Sequence, residues 1–313
     1  MIQHALALTA LLAAAALAGQ FYYRMGYRYH QIADRPKDPC SISGTTTLNP
    51  SLAGYTPLPC TTFTGNIAVA TDAVGIFALP GIEEIQGTLA AEDVPAISSL
   101  DLGDLRRVDQ LRISNSQIAT INYPNIEKIG EVNWEFMGPF EVLGETKVKN
   151  VDRLQISHTT VEDLSALFDP EVAEYVFIAN NQAMSNVKLP NLKTISEALE
   201  IYGNAYPGAI IFPELAWTER LLITRVGNKS DPATAFVSVD FPKLEEVRGD
   251  LTVSNNPKIG QVAAGALTRV RGDLTVKGNP ELSGMPFEGL KSVDGDLTYI
   301  GNFTRYVNGN PSV

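Results

Sequence analysis

One decapeptide occurs three times near the end of this chain. Leu-Glu-Glu-Val-Arg-Gly-Asp-Leu-Thr-Val at 244–253, Leu-Thr-Arg-Val-Arg-Gly-Asp-Leu-Thr-Val at 267–276 and Leu-Lys-Ser-Val-Asp-Gly-Asp-Leu-Thr-Tyr at 290–299 align without gaps at a period of 23 residues. Self-similarity at such a period is the signature of a repeat architecture. The first apolar residue of the motif can be followed backwards through weaker copies: Ile82, Leu105, Ile126, Val148, Val172, Leu192, Leu215, then Leu244, Leu267 and Leu290. The steps are 23, 21, 22, 24, 20, 23, 29, 23 and 23 residues. The chain therefore reads as about ten coils of one solenoid.

Each copy has a direct physical reading. Leu-Thr-Val alternates apolar and polar, which predicts a short strand with one buried face. The preceding glycine (Gly87, Gly249, Gly272 or Gly295) is expected to allow a sharp turn with positive φ. The Asp beside it is expected to bond its own backbone within that turn. Pro80, Pro124, Pro190, Pro213 and Pro242 stand two residues before the anchor, where a strand has ended. One coil cannot bury its own apolar face, but stacked coils can. The fold class is therefore mainly β: a parallel β-helix, leucine-rich-repeat-like, with successive strands paired about 4.8 Å apart.

Five copies carry Asn five residues after the first apolar residue of the strand: Asn181, Asn204, Asn256, Asn279 and Asn302. Leu-x-Val-x-x-Asn matches the strand-and-asparagine part of a leucine-rich repeat. An inward Asn would satisfy backbone groups left unpaired where coils stack. These residues read as a structural ladder rather than as ligand contacts.

Composition narrows the function. The 313 residues hold 24 Lys and Arg against 35 Asp and Glu, a net charge of −11, which argues against a nucleic-acid partner. Three His and two Cys leave little material for metal or nucleophile chemistry. No metal-binding His pair, phosphate loop or Gly-x-Ser-x-Gly elbow is present, and no cofactor is implied.

The Ala/Leu run from Ala5 to Ala18 is too short for a comfortable bilayer span of about 20 residues and matches the apolar segment of a secretory signal. Ala16-Leu17-Ala18 places cleavage after Ala18. The alternative is a signal anchor reaching Phe21-Tyr22-Tyr23, although Arg24 and Arg28 lie on the wrong side for one. Cys40 and Cys60 fit a disulfide formed in an oxidising compartment, closing a segment whose Thr, Asn and Pro residues favour turns and irregular coil; the alternative is two buried thiols. The expected organisation is a signal peptide at 1–18, a linker at 19–39, a disulfide-closed cap at 40–62, the solenoid at 63–305 and a tail at 306–313.

Several stretches resemble a known family. They are Thr62-Phe63-Thr64-Gly65-Asn66-Ile67 after the second cysteine, Leu79-Pro80-Gly81-Ile82-Glu83-Glu84-Ile85-Gln86-Gly87, Val132-Asn133-Trp134, Phe241-Pro242-Lys243-Leu244 with Gly249-Asp250-Leu251, and Gly301-Asn302-Phe303-Thr304. Together, over roughly residues 40 to 305, they are similar to the fungal GPI-anchored cell-wall organisation proteins of the extracellular-mutant and sporulation-specific type. The resemblance implies a receptor-L-domain-like fold, a right-handed β-helical relative of leucine-rich repeats. It also implies an extracellular, cell-surface location and a role in wall organisation. Family members continue into a Ser/Thr-rich stalk and an apolar GPI signal. This chain ends at Pro311-Ser312-Val313 with no ω-site, spacer and apolar tail, so GPI attachment is not carried over.

Two sequons, Asn228-Lys229-Ser230 and Asn302-Phe303-Thr304, are candidate glycosylation sites. Asn302 also holds a ladder position, and one side chain cannot be both buried and glycosylated. Asp250, Asp273 and Asp296 would stack along one edge; clustered carboxylates can cleave polysaccharides or bind calcium, but a repeated turn residue is the simpler reading. His30 falls in the linker and His158 in a turn. Trp134 and Tyr202 are candidates for a sugar-stacking platform, although alternation after Val132 points Trp134 into the core. The expected function is a non-catalytic, secreted or cell-surface glycoprotein that presents a rigid face to wall polysaccharides or wall glycoproteins. The rival is a β-helical polysaccharide lyase or hydrolase.

Overall fold

The structure is a computed structural model that describes residues 38–143, 148–205, 208–227, 236–284 and 286–301. The segment expected to be a signal peptide at 1–18, residues 19–37 of the expected linker with His30, Asn228, Asn302 and the expected tail at 306–313 lie outside the described residues.

Every strand pairing among the described residues is parallel. The chain winds as a β-solenoid whose main face is a 15-stranded sheet. Its first nine rungs are single strands: Ser41–Leu48, Thr62–Val69, Glu84–Glu92, Arg107–Ser116, Lys128–Met137, Asn150–Ser157, Val172–Ala179, Thr194–Tyr202 and Trp217–Thr224. The last three are split at Gly-Asp into Glu246–Val247 with Leu251–Ser254, Arg269–Val270 with Leu274–Lys277, and Ser292–Val293 with Leu297–Ile300. That makes twelve rungs, two more than the ten anchors, because Ser41–Leu48 and Thr62–Val69 also join the sheet. Turns and coil were expected between the cysteines. Instead Thr45, Thr46 and Thr47 pair with Asn66, Ile67 and Ala68, since β-branched side chains suit an edge strand. Cys40 and Cys60, each just ahead of one of these two rungs, are joined with Cα atoms 5.7 Å apart.

The opposite face is two four-stranded sheets. One holds Gly75–Ala78, Ile97–Asp101, Thr120–Asn122 and Glu141–Leu143; the other holds Asn186–Lys188, Ala209–Ile211, Val237–Asp240 and Ile259–Ala263. Between them a 3-10 turn, Leu164–Ala166, replaces the strand, with Asp163 accepting the Ser165 N–H at 2.8 Å. The core lies between the faces. Inward columns align in register, as in Leu221–Leu251–Leu274 and Ile223–Val253–Val276. Phe212 and Phe241 stack at 5.6 Å in the proline turns, and Trp134 is fully buried against Phe140 and Phe168.

One anchor was misassigned. Val172 is 62 % exposed. Val148 instead bridges the buried Phe168, and Val172 lies inside the sheet paired with Thr194. Hydrophobicity alone could not separate two apolar residues four positions apart.

The Gly-Asp pair also works differently from expectation. Only Gly87 has positive φ, at +149°. A Cβ on Gly272 would sit 2.6 Å from the Gly249 carbonyl carbon, and one on Gly295 would sit 2.7 Å from that of Gly272. Close approach of consecutive rungs, rather than turn geometry, excludes a side chain there. The Asp does not bond its own backbone: Asp250 Oδ1 accepts the Asp273 N–H at 2.8 Å, and Asp273 Oδ1 accepts the Asp296 N–H at 2.8 Å. Asn66 does the same for Thr88 at 2.9 Å.

A second column went unread in the sequence. Asp93, Asn115, Phe136, His158, Asn180, Gly203, Arg225, Asn255 and Gly278, four residues after the inward apolar residue of each rung, all have φ between 46° and 67°. The left-handed residue turns each coil out of the main sheet. Asn, Asp and Gly accept this conformation readily, whereas Phe136, His158 and Arg225 are held in it by their coils.

Candidate functional site

Among the described residues the ladder asparagines bond backbone groups of neighbouring coils. Asn181, Asn204, Asn256 and Asn279 are all buried. Asn181 Oδ1 accepts the Thr159 N–H at 3.0 Å, and its Nδ2 donates to the Ile156 carbonyl at 3.1 Å. Asn204 treats Asn181 and Ile178 in the same way at 3.0 and 2.8 Å. Asn256 serves Val226 and Ile223 at 2.9 and 3.1 Å. The exposed Asp250, Asp273 and Asp296 carry the rung-to-rung bonds described above. His158 is an exposed turn residue, stacked on Phe136 at 4.4 Å with Nδ1 3.8 Å from Glu135 Oε1. Trp134 and Tyr202 are not brought together, because Trp134 points inward and Tyr202 outward.

What gathers on the outer face is a different set. In Val172–Ala179, Val176 and Ile178 are fully buried, so alternation turns Tyr175 and Phe177 outward. Their rings lie 6.3 Å apart and within 6° of parallel. The Tyr175 hydroxyl donates to Glu200 Oε2 at 3.0 Å, and Glu200 also accepts from Arg220. The Arg153 guanidinium lies 4.9 Å above the Tyr175 ring and bonds Glu197 at 2.7 Å. One coil on, Arg225 sits over the Tyr202 ring at 5.3 Å and donates to its hydroxyl. Register puts Phe177 beside Glu200, and Glu200 beside Leu222.

Burial and the Glu200 carboxylate push the Tyr175 phenol up to about 12, so it remains a neutral donor at physiological pH. The hydrogen bond to Glu197 raises the Arg153 guanidinium further. An open cleft of about 680 Å³ adjoins this face, lined in part by Lys128, Asp152, Glu171, Val172 and Glu174. At its margin Lys193 Nζ lies 2.7 Å from Glu171, lowering the carboxyl and raising the amine through that bond. Parallel rings thus stand beside fixed donors and acceptors on the outer face.

No family model matches the chain, and no solved structure matches it significantly. Curated relatives do match. Protein ecm33 of Aspergillus fumigatus is 24% identical over 227 residues, which cover 66% of this chain and 56% of the relative. The cell surface GPI-anchored protein ECM33 of Candida albicans is 22% identical over 209 residues, covering 62% and 51%. The chain is similar to these fungal Ecm33 proteins. It spans about half the length of the Ecm33 relatives it matches.

On the outer face the sequence pattern and the structure single out different aromatic residues. The sequence pattern paired Tyr202 with Trp134 and passed over Tyr175 and Phe177. Their signal was present, since they alternate with two inward residues of the Leu-x-Val type. The partners Glu200, Arg220 and Arg225 come from other coils, and only the register between coils brings them in.

Proposed function

We propose that this chain is a non-catalytic cell-surface protein that supports fungal cell-wall organisation by presenting a rigid outer sheet to wall components. One observation carries the reading. The twelve rungs pair in parallel through one sheet, with local register shifts at a few of them, and inward and edge polar groups tie coil to coil, which supports an outer face held as one surface. A parallel solenoid of this kind gives a long surface of fixed geometry. The Ecm33 relatives support the setting, since the Candida albicans protein is named as a cell-surface, GPI-anchored one. An extracellular location fits that likeness, and wall polysaccharide or glycoprotein is the partner class we propose.

The rival is a polysaccharide-cleaving β-helix using Asp250, Asp273 and Asp296. The Asp250 and Asp273 carboxylates each hold a backbone N–H of the next coil, which favours the scaffold role. Purified protein incubated with wall polysaccharides is expected to release no fragments. Release that disappears in Asp273→Asn would defeat the binding-only reading. Reintroducing the chain into cells that lack it is expected to restore resistance to wall-perturbing dyes.

A further inference from the structure

The outward column beside the inward leucines is polar along most of the solenoid. Asn133 and Gln155 precede Phe177 in it, and Thr252 and Thr275 follow Leu222. A scaffold needs nothing but solvation there. Phe177 and Leu222 break the pattern on either side of the partly buried Glu200, with Tyr175 and Tyr202 flanking them. Apolar rings that interrupt a polar sheet face, among donors already fixed in place, have the composition of a ligand site.

The chemistry of the patch narrows the occupant. Tyr175 and Phe177 are nearly parallel with centroids 6.3 Å apart, and Arg153 and Arg225 lie over Tyr175 and Tyr202, so a flat apolar ring would use the aromatic surface those groups leave open. Its charges nearly balance, with Arg153, Arg220 and Arg225 against Glu131, Glu174, Glu197 and Glu200. In a chain of net charge −11, a nearly neutral patch favours an uncharged ligand over a polycation. Sugar hydroxyls both donate and accept, and this patch offers guanidinium donors and carboxylate acceptors side by side. The adjoining cleft shares Glu174 and continues the surface for a polymer longer than the patch.

We propose that the outer platform of Tyr175, Phe177, Tyr202 and Leu222 binds a neutral polysaccharide of equatorially substituted pyranose rings. The rings stack on the aromatic side chains, and their hydroxyls bond the Arg and Glu groups between them. This rests on the wall-organisation reading and specifies its ligand and its site.

The test is calorimetric titration of the full chain with soluble β-glucan and chitin oligosaccharides, with mannan and a polyanionic glycan as contrasts. Binding of the glucan or chitin oligosaccharide is expected, unaffected by ionic strength. It should weaken at least about tenfold in Phe177→Ala and in Tyr202→Ala, the loss of one stacked ring. Ile76→Ser, on the opposite sheet, should bind as wild type. The same melting temperature in all variants keeps misfolding out of the comparison. No binding of either oligosaccharide, wild-type binding by Phe177→Ala, or preference for the polyanion or mannan overturns the proposal. Wall-stress resistance of complemented cells separates the two readings. Resistance restored without oligosaccharide binding removes the platform alone, and binding without restored resistance removes the wall-organisation role alone.

Discussion

Asn279 Oδ1 accepts the backbone N–H of Asn256 at 3.1 Å, joining two consecutive coils through a buried carboxamide. The other end of the same group donates to the Val253 carbonyl at 2.9 Å. Each ladder asparagine thus closes one donor and one acceptor that the turn out of the sheet leaves open. The column is Asn only in the later coils. In earlier ones it holds Val94, Ser116 and Met137, all buried.

Asn256→Leu tests that role. The substitution keeps the volume but strands the Val226 N–H and the Ile223 carbonyl. Two buried backbone groups left unpaired are expected to cost about 2–4 kcal/mol. Urea unfolding reads the loss, and hydrogen exchange should show it concentrated in the coils on either side of Asn256. Unchanged protection at Val226 would show that the carboxamide does not hold that N–H.

Gly272→Ala tests the close approach of rungs. A methyl group there meets the Asp250 nitrogen at 2.8 Å and the Gly249 carbonyl carbon at 2.6 Å, and backbone cannot give way as a side-chain tip would. A loss of about 3 kcal/mol is expected from overpacking. Gly265→Ala, with nothing within 4 Å of the added carbon, should leave the melting temperature nearly unchanged. Equal effects of the two would refute the packing explanation of the Gly-Asp motif.

The solenoid was legible because its period is written in the hydrophobic anchors, which a stacked core requires in every coil. The Asn ladder was legible for the same reason, since Asn181, Asn204, Asn256 and Asn279 repeat at fixed offset. The first rung was not, because Ser41–Leu48 lacks the anchor and proline turn before it; Thr62–Val69 fell, from Phe63 on, within the expected solenoid at 63–305 but had no anchor assigned. The left-handed column was hidden by identity, as Phe136, His158 and Arg225 are not residues that announce positive φ. The outer face was hidden by register. Glu200 is 25 residues from Tyr175 and Arg225 is 23 from Tyr202, and only coil-to-coil pairing reveals those neighbours.

Tyr123 gives a prediction of opposite sign. Its ring is 1% exposed, and its hydroxyl has no hydrogen-bond partner among the described residues. Burial raises its phenol above the ordinary value. Removing an unsatisfied hydroxyl while keeping the ring should leave stability unchanged or raise it by about 1 kcal/mol. Tyr123→Phe measured by thermal unfolding checks this, and a clear loss would reveal an unseen partner for the hydroxyl.

Glu246 is one contributor to the acid limb of stability. Arg271 Nε donates to Glu246 Oε1 at 2.7 Å, and Arg248 Nε to its Oε2 at 3.3 Å. Arg248 is itself stacked on Trp217 at 3.6 Å, which fixes its donor. The bond from Arg271, more than that from Arg248, holds the Glu246 carboxyl below the usual carboxylate range. A folded-state value lower than the unfolded one, about 4.3, means that the contribution is complete above that pH. It is lost as pH falls through the depressed folded value. Arg271→Gln should return the carboxyl toward its ordinary value and flatten this part of the acid limb, while leaving the behaviour between about pH 6 and 8 to the other groups. Urea midpoints measured from neutral pH downward, with the Glu246 carboxyl followed by NMR, decide it. An unchanged Glu246 titration in Arg271→Gln would show that the hydrogen bond does not set the shift.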